Sequence, residues 1–120
     1  MPRVLIVEDD RDTREMLGRF LELEGFDVST AANGQLALDA LRKDRASVIV
    51  LDLMMPVMDG WQFRQQQVRD PRLADIPVVV VTAAGSRKAL PPIDAHGWLS
   101  KPVDLDMLLQ TITPLCGAEN

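Results

Sequence analysis

Four polar features stand where short apolar runs stop. Glu8-Asp9-Asp10 follows residues 4–7, Asp52 follows residues 48–51, Thr82 follows residues 78–81, and Lys101 lies just past Trp98-Leu99. If the runs are parallel strands, all four features gather at one edge of a sheet, where sites form in open α/β folds. Carboxylates crowded there repel one another; at about 4 Å each pair costs roughly 4 kcal/mol at an effective dielectric near 20. A divalent cation offsets that repulsion, and an all-oxygen, carboxylate-rich set with room for water suits Mg2+. Lys101 adds a compact positive charge and Thr82 a hydroxyl donor. These groups describe a pocket for a phosphoryl group, with a carboxylate as nucleophile and the cation and lysine on the phosphoryl oxygens.

The elements that must position these residues follow from apolar spacing. Runs at 4–7, 28–31, 48–51 and 78–81, and a weaker one at 98–99, read as strands. The first, third and fourth are continuous rather than alternating, as in strands covered on both faces of a parallel sheet. Helical stripes lie between them. Residues 14–24 place Met16, Leu17, Phe20 and Leu21 on one side, with Gly25 as a stop and Asp12-Glu15 as a capping pair. Residues 35–43 carry Leu36, Ala37, Ala40 and Leu41 after the Asn33-Gly34 turn, and Asp59 is placed to cap a third helix. Residues 105–113 turn Met107, Leu108 and Ile112 inward, and Pro114 is expected to end or kink that helix. Between the fourth and fifth strands only residues 86–90 have helical character before Pro91-Pro92. The fourth helix is therefore expected to be short or missing, followed by an irregular loop at 93–97. The alternation predicts an α/β fold: a doubly wound, five-stranded parallel sheet with helices on both faces, as one domain over residues 1–120.

The order and context of these residues resemble one family over essentially the whole chain. Residues 4–10 (VLIVEDD), 51–60 (LDLMMPVMDG), 81–83 (VTA) and 100–102 (SKP) are similar to the receiver domain of bacterial response regulators in two-component signalling, single-domain chemotaxis receivers included. The resemblance implies a flavodoxin-like strand order, 2-1-3-4-5. It implies that Asp52 is the phosphoacceptor and a metal ligand, that Asp9 binds the metal directly, and that Glu8 acts through its water shell. The backbone carbonyl of Met54 would add a further metal oxygen, with Mg2+ as cofactor and Mn2+ as a substitute. Thr82 would bond a phosphoryl oxygen and Lys101 would pair with Asp52 or its phosphoryl group. The Lys101-Pro102 bond would match the family's cis peptide. Thr82 and Trp98 would form a hydroxyl–aromatic switch; an ordinary half-buried core role for Trp98 stays equally open. The implied donor is a histidine on a sensor histidine kinase or a histidine phosphotransfer protein. The implied output is a downstream effector protein, or a domain outside this chain. Such a domain is not an enzyme in the usual sense: it catalyses only its own phosphorylation and slow autodephosphorylation. The stretch between Thr82 and Lys101 is shorter than is usual in the family, which puts the family's dimer face in question and leaves a monomer or weak dimer.

Composition narrows the alternatives. With 120 residues, 47% of them hydrophobic and 26% charged, the chain fits one globular core. A net charge of −5 argues against direct binding of nucleic acid or of an anionic membrane. No apolar run approaches the ~20 residues of a membrane span. The single cysteine, Cys116, reads as a small apolar residue in a cytoplasmic protein, and only residues 117–120 follow the last helix, so no effector domain is expected in this chain. Met54, Met55 and Met58 read as packing residues, and His96 as an exposed loop residue. Three other functions compete. A dehalogenase-type phosphatase would want a second Asp two residues past the nucleophile, where Met54 stands. A flavin or nucleotide module would want a small-residue phosphate loop, where Glu8-Asp9-Asp10 stands. A degenerate receiver would act only as a binding module.

Overall fold

The computed structural model describes residues 2–83 and 93–116. Among the described residues, five strands and four helices follow in the order β1 (Arg3–Val7), α1 (Arg11–Leu23), β2 (Asp27–Ala31), α2 (Gly34–Lys43), β3 (Val48–Asp52), α3 (Gly60–Arg69), β4 (Val78–Ala83), β5 (Gly97–Lys101) and α4 (Leu105–Cys116). All strand pairs are parallel, in the order β2-β1-β3-β4-β5. The expected doubly wound, flavodoxin-like sheet is therefore present. The short helical segment expected at residues 86–90 lies outside the described residues.

The continuous apolar runs are buried because both sheet faces are covered. Every residue of β3 is buried, and alternate side chains feed two cores. Leu5, Val7, Ile49, Leu51, Val78 and Val80 pack with Leu38, Leu41 and Phe63 of α2 and α3. Val4, Ile6, Val48, Val50, Val79 and Val81 pack with Leu17 and Leu21 of α1 and Leu108 and Ile112 of α4. A fully buried aliphatic side chain contributes about 1.5–3 kcal/mol, so these two layers dominate the stability.

Several boundaries differ from expectation. Asp10, not Asp12, caps α1: its carboxylate accepts from the Thr13 amide at 2.9 Å, three residues on. Asp12 then falls within the first turn, where a negative charge suits the helix dipole. Met16, Leu36 and Met107 were expected inside, yet each is about half exposed, and Leu38 takes the inward place on α2. The apolar stripe has slipped by a fraction of a turn in each case. Pro114 does not end α4, which continues to a buried Cys116. Proline there forfeits one backbone donor near the helix end, while burial of Cys116 against the core anchors the last turn. Gly25 does stop α1, at φ 96°, in the left-handed region. Asp59 caps α3 in a full capping box with Gln62. The next residue, Gly60, approaches β3 so closely that a Cβ would lie 2.8 Å from Leu53 Cα and 3.0 Å from the Asp52 carbonyl oxygen. That contact fixes the loop after Asp52 against the strand end.

Candidate phosphoacceptor site

The strand register brings the four polar features together. Val7 pairs with Leu51, Asp52 with Val81, Thr82 with Ser100 and Ala83 with Lys101, so their carboxyl ends form one edge. Glu8 leaves β1 buried, Asp52 ends β3 at 4% exposure, and Asp9 faces solvent. Carboxylate oxygens of Glu8, Asp9 and Asp52 lie within 4.8 Å of one another. Lys101 Nζ sits 2.8 Å from Glu8 Oε1 and 3.6 Å from Asp52 Oδ2. The Lys101-Pro102 peptide is cis.

The electrostatics show crowding. Burial, then a hydrogen bond to Glu8 and the charge on Glu8, push the Asp52 carboxyl up to about 7, against the opposing pull of Lys101 and of the Met54 amide. That amide donates to Asp52 Oδ1 at 3.3 Å. Desolvation pulls the Lys101 ammonium down, but Glu8 and Asp52 outweigh it and hold it above its ordinary value. One lysine thus faces three carboxyl groups, and the set still carries excess negative charge. Such an all-oxygen set with one exposed member fits Mg2+, which takes few protein oxygens and keeps its own water. Thr82 supplies a second test of fit. It is buried, and its Oγ1 has no hydrogen-bond partner among the described residues. A buried hydroxyl without a partner costs about 1–3 kcal/mol, and an incoming phosphoryl oxygen would satisfy it.

The loop after Asp52 is strained. Val57 has φ 70°, and the Met58 amide donates to the Pro56 carbonyl across it at 2.8 Å, which makes a tight three-residue turn. A β-branched residue pays heavily in this region. The Met58 carbonyl in turn accepts from the Gly34 amide at 3.1 Å, tying the loop to the start of α2. Val57 is 81% exposed, so glycine there loses little packing. Val57→Gly is expected to raise stability by about 1 kcal/mol, relief of strain exceeding the added chain entropy. Urea denaturation checks this; an unchanged or lower midpoint would show that the turn stores no strain. Met54 and Met55 flank the same loop. Met55 is buried, whereas Met54, expected to pack, has its side chain 62% exposed.

Trp98 pairs with Val80 in β4–β5, and Thr82 lies two residues beyond Val80. Side chains two apart on a strand share a face, so Thr82 and Trp98 are diagonal neighbours on one side of the sheet. Trp98 is half-buried there, against the core that α2 and α3 cover.

Some polar residues have roles that sequence reasoning missed. Arg14 donates through its guanidinium to the carbonyls of Glu8 at 2.8 Å and Asp9 at 3.4 Å. Arg64 and Gln67 are buried in α3: Arg64 donates to Gln67 Oε1 and to the Asp94 carbonyl, and Gln67 donates to the carbonyls of Leu73 and Ile76. His96 is exposed, as expected, but its Nδ1 accepts from the Val78 amide at 3.2 Å. Of these, only the i,i+3 spacing of Arg64 and Gln67 carried a sequence signal.

Comparison with known proteins identifies the family. The chain is 36% identical over 118 residues to the DNA-binding dual master transcriptional regulator RpaA of Synechocystis, covering 96% of this chain and 49% of that protein. It is 40% identical over 116 residues to the response regulator MprA of Mycobacterium tuberculosis, covering 94% and 50%. The chain thus spans about half the length of the curated relatives it matches. Among solved structures, the chemotaxis response regulator CheY4 of Vibrio cholerae superimposes with a TM-score of 0.85 at 34% identity, covering 96% of this chain and 98% of that one. A sensor protein from Polaromonas gives 0.88 at 30% identity, covering 99% and 98%. The family model for the response regulator receiver domain matches residues 4–113, so the chain belongs to that family, a phosphorylation-dependent signalling domain of two-component systems.

Proposed function

We propose that this chain is a switch which takes a phosphoryl group onto Asp52 from a phosphohistidine of a sensor histidine kinase or histidine phosphotransfer protein. The observation that carries this reading is the buried Asp52 carboxylate, pressed against Glu8 and Lys101 at one sheet edge beside the buried Thr82 hydroxyl, which has no hydrogen-bond partner among the described residues. Glu8, Asp9, Asp52 and the Met54 backbone carbonyl are the groups that would hold Mg2+, with Mn2+ as a substitute. When bound, the cation neutralises charge on the carboxylates and on the transferring group.

The chain's own residues do the rest. An Asp52 oxygen attacks phosphorus in line, the donor's P–N bond breaks, and an acyl phosphate forms; positioning and charge neutralisation matter more than proton transfer. Lys101 lies 3.6 Å from the attacking carboxylate and can follow the phosphoryl oxygens. Thr82 then donates its hydroxyl to a phosphoryl oxygen, a charge-assisted bond of about 1.5–3 kcal/mol that exists only in the modified state. Its inward movement opens space on the sheet face it shares with Trp98, and the indole follows. Partner binding changes with it, in a downstream effector or in a further domain joined to this one. Water later removes the phosphoryl group, which resets the switch. The reading places the chain in the cytoplasm beside its phosphodonor; no helix among the described residues is long and apolar enough to cross a membrane.

The test is intact mass after incubation with Mg2+ and a small acyl phosphate. One phosphoryl group is expected on the parent protein, and none on Asp52→Asn or with excess EDTA. Absence of any gain in the parent would overturn the reading in favour of a binding module that never takes the group.

A further inference from the structure

We infer that Arg14 is a positioning residue for the acidic pair: it locks the turn that aims Glu8 and Asp9 at a divalent cation. This inference rests on the proposed Mg2+ site and extends it to a residue that would not itself touch the metal.

Three consecutive carbonyls of the acidic turn end on this one residue. The guanidinium Nη1 of Arg14 donates to the Glu8 carbonyl at 2.8 Å and to the Asp9 carbonyl at 3.4 Å. The Arg14 backbone amide donates to the Asp10 carbonyl at 2.9 Å, closing the first turn of α1. On the other side, the Glu8 amide donates to Ala31 of β2 at 3.0 Å, and the Asp10 amide donates to Glu8 Oε2 at 3.2 Å. The turn is therefore pinned at both ends.

Three adjacent acidic residues have reason to splay apart. Their mutual repulsion favours extended side chains in water over carboxylates converging on Asp52. A cation bonded to the backbone behind them counters that tendency without occupying the site in front. Arg suits this better than a lysine, because it carries several donors in a fixed fork and remains charged. Groups that orient metal ligands from outside typically cost about 10–100-fold in metal affinity when removed.

The sign of the effect separates positioning from plain charge. Removing a nearby cation should, by electrostatics alone, tighten Mg2+ binding. Loss of positioning should weaken it. We expect Arg14→Met to bind Mg2+ about 10-fold more weakly by calorimetry. Arg14→Lys, which keeps the charge and a donor head, should recover most of that loss. Arg11→Met removes an exposed cation of the same helix, ion-paired with Glu15 at 3.2 Å, and should leave affinity unchanged or tighter. If Arg14→Met folds poorly, Arg14→Lys and Arg14→Gln carry the same comparison. Gln, with its donor but no charge, should fall between Lys and Met. An affinity equal to or tighter than the parent's in Arg14→Met, or in Arg14→Gln where Met does not fold, would sink the inference. A parent protein that binds no Mg2+ would instead sink the proposed function beneath it.

Discussion

Asp52→Asn is expected to stabilise the metal-free protein at pH 8 by about 2–4 kcal/mol, and to leave it nearly unchanged near pH 4. The reason lies in what folding does to this carboxyl. Burial, followed by the hydrogen bond and charge of Glu8, raises it from an ordinary value near 4 to about 7. Between those two values the folded protein holds a proton that the unfolded chain has lost. Stability on this account is fully present below pH 4, declines as pH rises through the window from about 4 to 7, and is level above it. A shift of about three units is worth about 4 kcal/mol at most, and relaxation of the surrounding groups with entry of water reduces it. Asparagine keeps the shape and carries no charge, so it escapes the decline. Added Mg2+ should restore the parent at pH 8 and do little for the variant, since a ligand stabilises only the state it binds. Urea denaturation of both proteins at pH 5 and pH 8, with EDTA and with Mg2+, checks each part. A difference between parent and variant that does not grow with pH would show that Asp52 is not held at a cost. Under the proposed function, a carboxylate kept under this electrostatic pressure would be relieved by a bound cation and by phosphoryl transfer.

The site was legible in the sequence because its residues are tied to backbone positions that the sheet dictates. Continuous β-branched runs end where strands end, and parallel strands bring those ends to one edge; Glu8, Asp52 and Lys101 needed no more than that to meet. The strand order and the two-layer core followed from the same alternation. What escaped depends on side-chain reach and rotation, which spacing does not encode. Arg14 reads as one more cation on an amphipathic helix until its guanidinium is seen to fold back over its own N-terminus. Arg64 and Gln67 read as a polar surface, yet Arg64 reaches across to the Asp94 carbonyl, Gln67 donates to the carbonyls of Leu73 and Ile76, and the two side chains bond one another. Met16, Leu36 and Met107 lie at the margins of their apolar stripes, where a rotation of some tens of degrees decides burial. Pro114 shows the opposite failure. A strong local rule against helix was overridden, and the helix runs two residues past the proline to a buried Cys116, its last residue.

Lys101→Met is the second large effect. It is expected to lower metal-free stability at pH 8 by about 2–3 kcal/mol, and by much less at pH 5. Methionine retains much of the apolar stem, so the change isolates the charge. Removing one partner of a buried ion pair usually costs more than this, but Lys101 is about one-third exposed, and water screens part of the interaction. At pH 8 the Glu8 and Asp52 carboxylates would face each other with their resident cation gone. At pH 5 Asp52 has already taken a proton, and that repulsion is largely absent. Mg2+ should return most of the lost stability, because it would offset the same charges. A double-mutant cycle makes the claim sharper. With Asp52→Asn already in place, Lys101→Met should cost at least 1 kcal/mol less than it does alone. An equal loss at both pH values and in both backgrounds would mean that Lys101 acts through packing rather than charge. If the coupling holds, lysine and divalent cation are two answers to one electrostatic problem. On that reading the lysine holds Glu8 and Asp52 together before a cation binds, and the site proposed for Mg2+ would be assembled in advance.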